Sequence, residues 1–253
     1  MPRSKKNQSN LGNPGMTKAQ KRRLPIHADL MTKVEPLTPN QARIFKAWEE
    51  GKHMFIYGCA GTGKTFTVLY NALQDVLKDN PTYESVYLVR SLVATREIGF
   101  LPGTHEDKAD IYQIPYKNMV KYMFELGSDE EFESLYSAMK VQDSIKFWST
   151  SFLRGVTLDN AVIIIDEMQN LNFHELDSII TRVGEGSRII FCGDGRQSDL
   201  TKTAEKGGIH DFMRILENMP DDFELIEMGV DDIVRSGLVR NYLISKDALN
   251  ISD

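Results

Sequence analysis

Cysteine is scarce: Cys59 and Cys192 are the only two among 253 residues. That is too few for a disulfide framework or a four-cysteine zinc site. Long apolar runs are missing too, and no stretch approaches the ~20 residues that a membrane-spanning helix needs. The opening MPRSKKNQSN carries charge with no apolar run behind it, so a secretory signal is not expected. These absences predict a reduced, cytoplasmic protein without a membrane partner. Acidic residues are absent from residues 1–28, where Arg3, Lys5, Lys6, Lys18, Lys21, Arg22 and Arg23 fall. With those 7 of the 30 basic residues in the tail, 23 face 36 acidic residues elsewhere, a net of −13 beneath an overall −6. Large apolar side chains are few there as well. Residues 1–28 therefore read as a disordered basic arm, either simply solvated or adding salt-sensitive contacts to phosphates.

What is present suffices for a core, since 41% of residues are hydrophobic, and residues 29–253 read as one domain. Order is expected from about Val34. Thr38-Pro39 has the form of a helix start, and Ile44, Phe45 and Trp48 give that helix an apolar face. Short apolar runs over 53–58, 85–90, 161–166, 188–193 and 223–228 predict buried strands, with helices over 64–78 and 173–183. Near-continuous aliphatic strands separated by helices predict an α/β domain with a mostly parallel sheet covered on both faces. Residues 104–146 break this rhythm with polar and aromatic helix-like sequence, and read as an insertion.

Gly58-Cys59-Ala60-Gly61-Thr62-Gly63-Lys64-Thr65, followed by Phe66, satisfies G-x-x-x-x-G-K-[ST] between a predicted strand and a predicted helix. Glycines let the backbone turn its N–H groups inward, where they and the helix N-terminus hold phosphate oxygens. Lys64 is placed to reach the β- and γ-phosphates of ATP, and Thr65 to bind Mg²⁺ through its hydroxyl. Asp166 and Glu167 end the aliphatic run Ile163-Ile164-Ile165. Asp166 would hold Mg²⁺, and Glu167 would polarise the attacking water as general base. Gln197, in Gly193-Asp194-Gly195-Arg196-Gln197, is predicted beside the γ-phosphate at the carboxyl end of a central strand.

Several stretches then carry a more specific likeness: Gly58–Thr65, GFLPG over 99–103, FLRGVTL over 152–158, DEMQ over 166–169, GDGRQ over 193–197 and DIVRS over 232–236. In this order they resemble the PhoH family, whose ATPase core is similar to the first motor domain of superfamily 1 helicases. Met168 stands where that family usually has Ala. The resemblance implies a RecA-like, three-layer α/β/α P-loop NTPase. It also implies a Gln41 that contacts adenine and a hexameric ring.

Triphosphate hydrolysis usually needs an arginine against its transition-state charge. No second P-loop-like half follows residue 240, so Arg235, with Arg240 behind it, is the candidate, donated by a neighbouring subunit. Phe100 in GFLPG, together with Arg90, Arg96 and Arg154, supplies the aromatic and guanidinium groups that single-stranded nucleic acid, RNA or DNA, requires. The expected function is an ATPase coupled to such a strand, with helicase or remodelling activity. Two rivals fit a P-loop with an acidic pair: a small-molecule kinase and a nucleotide-gated binding protein with little turnover. Thymidine kinases share the Asp-Glu-x-Gln element but generally carry a four-cysteine zinc ribbon, and Glu167 argues for hydrolysis over mere holding.

Overall fold

A computed structural model describes residues 26–90, 105–153, 155–194 and 207–249 of the chain. Among the described residues six strands build one sheet: β1 (His53–Gly58), β2 (Ser85–Arg90), β3 (Ile145–Ser149), β4 (Ala161–Asp166), β5 (Arg188–Asp194) and β6 (Phe223–Met228). All described pairings are parallel, in the order β3-β2-β4-β5-β1-β6. The helices are α1 (Pro39–Glu49), α2 (Lys64–Leu77), α3 (His105–Met123), α4 (Asp129–Val141), α5 (Thr150–Leu153), α6 (Phe173–Ile180), α7 (Gly207–Glu217) and α8 (Gly237–Ala248).

Alternation along each strand divides the core into two layers, because successive side chains leave opposite faces of a sheet. Met54, Ile56, Val86, Leu88, Val162, Ile164, Ile190 and Cys192 pack against α1, α2, α3 and α4. Phe55, Tyr57, Val89, Ile163, Ile165, Ile189 and Phe191 pack against α6 and α7 on the other face. Phe55 has no exposed surface, and truncating such a ring to Ala destabilises a core by about 3–5 kcal/mol. The sheet is thus sandwiched, as the aliphatic strands predict.

Local signals start the helices where expected. Thr38 Oγ1 accepts from the Gln41 N–H at 3.2 Å with Pro39 in the first turn, a capped start to α1. Asn172 and Glu175 form a reciprocal capping box at α6. That helix ends at Ile180 rather than at 183, and Val183 bridges instead to Leu158.

The five predicted strands are present, and a sixth, β3, is added at the sheet edge beside β2. The segment read as an insertion supplies α3, α4 and the first two residues of β3. Its Tyr116, Val120, Met123, Phe132, Tyr136 and Met139 enter the same core layer as α2. It is the crossover joining β2 to its parallel neighbour, a connection that needs a dozen residues or more.

Candidate active site

Strand order sets the position of the site. The P-loop leaves β1 and the acidic pair leaves β4, with β5 between them. Their carboxyl ends form the crevice where open parallel sheets bind ligands.

The P-loop backbone is shaped by its glycines. Gly58, Gly61 and Gly63 have φ of 123°, 75° and 80°, a region that side chains disfavour. A Cβ on Gly58 would also stand 2.1 Å from the Met228 carbonyl oxygen of β6. Lys64 is buried, and its Nζ donates to Gly58 O at 3.2 Å, to Cys59 O at 2.7 Å and to Asp194 Oδ1 at 2.8 Å. Three acceptors satisfy an ammonium with three protons.

Thr65 Oγ1 donates to Asp166 Oδ1 at 2.8 Å, so the first turn of α2 and the end of β4 meet as the predicted Mg²⁺ pair. These two oxygens suit a cation that takes few protein ligands and completes its shell with water and phosphate. The glycine cradle in front of them suits the phosphates. Asp166 Oδ2 accepts a second bond, from Tyr116 Oη at 2.6 Å. Burial first, then the Asp166 carboxylate, push the Tyr116 phenol far above its usual pKa, so the hydroxyl stays a donor.

Glu167 lies on a left-handed turn, φ 55° and ψ 42°. Among the described residues the other non-glycine positions with positive φ are Asp143 and Asn160, types that tolerate it. A Glu held there stores of order 1–3 kcal/mol of strain, which is typical of functional sites. Its carboxylate accepts from Gln169 Nε2 at 2.5 Å and lies 3.6 Å from Arg90 Nη2. Burial and then the neighbouring Asp166 raise its pKa above the usual carboxylate value. Gln169 Oε1 in turn accepts from the Asp194 N–H at 3.0 Å, tying the acidic turn to the end of β5. Met168 packs beneath this link, and a Cβ on Gly193 would come within 2.5 Å of its Cγ. The larger residue at 168 is thus accommodated by the bare glycine opposite.

A cavity of about 540 Å³ runs along the P-loop, and one of about 240 Å³ continues to Asp166, Glu167 and Arg90. Lys64, Thr65, Pro115, Met119 and Asp194 line both. Gln41 lines the larger one, but both ends of its amide are engaged: Nε2 donates to Thr62 O at 2.9 Å, and Oε1 accepts from the Leu37 N–H at 2.8 Å. Each end keeps capacity for a second bond, since the amide has two N–H donors and its oxygen two lone pairs.

Arg235 lines the same cavity. The Val234 N–H donates to Gly61 O at 3.1 Å, and a Cβ on Gly61 would lie 2.9 Å from Arg235 Cγ and 3.8 Å from its Nε. This arginine therefore sits beside its own chain's P-loop. Arg90 turns to Glu167, and its guanidinium lies 5.9 Å from the Tyr112 ring. Gln197, Arg96, Phe100 and Arg154 lie outside the described residues. Tyr116, Gln169 and Asp194 are site residues that motif reading did not assign. Gln169 and Asp194 lie inside quoted motifs, whereas nothing in the sequence marks Tyr116.

This geometry is that of a P-loop NTPase. The solved structures to which the chain is similar include the large terminase from a thermophilic bacteriophage in complex with ADP, at TM-score 0.49 and 12% identity over 83% of this chain and 50% of that one. The Pyrococcus furiosus Hef helicase domain is another, at TM-score 0.43 and 13% identity over 76% of this chain and 39% of that one. A PhoH-like protein of Mycobacterium leprae is 33% identical over 81% of this chain and 56% of its own length. One from Bacillus subtilis is 32% identical over 84% and 64% respectively. The chain thus spans between about half and two-thirds of the length of these relatives. The family profile described as PhoH-like protein matches residues 33–245. The chain belongs to the PhoH-like protein family.

Proposed function

We propose that this chain is a Mg²⁺-dependent ATPase whose turnover is coupled to single-stranded nucleic acid, RNA or DNA, with helicase or remodelling activity. The observation that carries the ATPase reading is the Thr65–Asp166 contact with Glu167 next to it on a strained turn. Lys64 is placed to exchange Asp194 for the β- and γ-phosphates, while the P-loop N–H groups hold the remaining phosphate oxygens. Thr65 and Asp166 would hold Mg²⁺, which supplies charge neutralisation between the phosphates. Glu167, with its pKa raised and its carboxylate oriented by Gln169, is suited to accept a proton from the attacking water. Gln197 is assigned to orient that water against the γ-phosphate. Arg235, beside Gly61, contributes positive charge to the same cavity.

The nucleic-acid part rests on the basic arm of residues 1–28, on the GFLPG and FLRGVTL stretches and on the kinship of the family's core with helicase motor domains. A hexameric ring and a cytoplasmic setting belong to the same reading, supported by the family likeness and by the composition. Lys64→Ala tests the nucleotide site. Losing a charge-assisted contact to phosphate costs about 1.5–3 kcal/mol, so affinity for ATP should fall at least roughly 10-fold by calorimetry. Equal affinity in variant and parent would remove the assignment.

A further inference from the structure

The Tyr116–Asp166 bond joins the crossover helix α3 to the metal-binding carboxylate across 50 residues of sequence. We propose that Tyr116 is a positioning residue for Mg²⁺: its hydroxyl fixes the Asp166 carboxylate in the orientation that binds the ion's hydration shell beside Thr65. The inference rests on the Mg²⁺ site of the preceding section and extends it to a helix that no phosphate-binding motif includes.

Three observations support it. Each oxygen of the Asp166 carboxylate has its own donor, Thr65 Oγ1 at 2.8 Å and Tyr116 Oη at 2.6 Å. With both ends held, the carboxylate plane cannot rotate freely, and a carboxylate ligand that is itself hydrogen-bonded binds metal more tightly. Second, Tyr116 is only 3% exposed, with its ring 5.7 Å from that of Phe147 on β3. Packing therefore fixes the hydroxyl, which does not hang from a mobile side chain. Third, the same helix reaches the other acidic residue one turn earlier. Tyr112 lies under Arg90, whose Nη2 is 3.6 Å from Glu167 Oε1. Positions four apart share a helix face, so one face of α3 addresses both carboxylates. Pro115, Asn118, Met119 and Tyr122 of α3 also line the larger cavity. α3 therefore touches Asp166 directly, reaches Glu167 through Arg90 and forms part of the cavity wall.

The test is a Mg²⁺ titration of fluorescent ATP-analogue binding to parent, Tyr116→Phe and Val120→Ala. Tyr116→Phe removes one oxygen and keeps the buried ring. Val120→Ala loosens the same helix face, where Val120 is fully buried, without touching the hydroxyl. The expected result is a Mg²⁺ midpoint raised roughly 10- to 100-fold in Tyr116→Phe, the usual effect of losing such a supporting bond. Analogue binding in EDTA should stay at the parental level, and Val120→Ala should keep the parental midpoint. An unchanged midpoint in Tyr116→Phe overturns the proposal. So does a lowered one, which would make the bond a latch that the ion displaces, and so does an equal shift in Val120→Ala, which would reduce the effect to packing. If the parent itself shows no Mg²⁺ dependence, the metal site falls, and the role of Tyr116 with it.

Discussion

Lys64 donates to Asp194 Oδ1 at 2.8 Å, a buried ammonium held by a carboxylate that is about half exposed. A buried cation needs such partners, and Asp194 lines the same two cavities as Lys64. The lysine is thus held ready, but not unopposed.

Asp194→Asn should therefore tighten nucleotide binding. A half-exposed ion pair is worth about 0–1 kcal/mol, so affinity measured by calorimetry in EDTA should rise by up to roughly 5-fold. Weaker binding would make Asp194 a support for the nucleotide rather than its competitor.

Glu167→Gln preserves size and the left-handed turn but removes the proton acceptor. ATP binding with Mg²⁺ should persist while turnover falls by roughly 10²-fold or more, the scale of general-base catalysis. Turnover at the parental rate would place the base elsewhere.

Legibility in the sequence followed how locally each feature is encoded. The P-loop, Asp166 and Glu167 were readable because glycine spacing and an aliphatic strand ending in acid are contiguous signals. Strand β3 was not. Ile145-Lys146-Phe147-Trp148-Ser149 has no aliphatic run, and as an edge strand it pairs on one side only, so little burial is imposed on its composition. Tyr116 was invisible for a different reason: its role comes from contact with a residue 50 positions away, within a segment whose polar, aromatic make-up reads as peripheral. Arg90 was legible as a cation but not as a partner. Its register opposite Asp166 in the β2–β4 ladder brings it beside Glu167, and that register is set by the sheet as a whole. For Arg235 the sequence offers a candidate finger, and the fold shows where it lies, beside Gly61 of its own chain.

That placement carries its own prediction. Arg235→Ala should weaken both ATP binding and turnover. Mixing it with Glu167→Gln after subunit exchange should restore no activity, since every chain then lacks one element of its own site. Recovery in the mixture would assign the arginine to a neighbouring subunit.

Stability should depend on His53. Its Nδ1 accepts from the Ile189 N–H at 3.1 Å, a role only the neutral ring can play. Burial first, then the charge of Arg188, lower its pKa in the folded state. Below the unfolded-state pKa of about 6.5 the unfolded chain binds the proton more readily, so the contribution is full above that pH and is lost as pH falls toward the depressed value. His53→Asn keeps an acceptor without a titrating group. Urea midpoints at pH 7.5 and 5.5 should differ less in the variant than in the parent. Equal differences would show that His53 contributes nothing to the acid sensitivity.

The most direct test of the account is the rate of phosphate release from Mg·ATP, with and without single-stranded RNA or DNA. The account predicts steady multiple turnover by the parent that rises when either strand is added and is lost in Glu167→Gln. A chain that binds Mg·ATP yet releases no phosphate under either condition would contradict it.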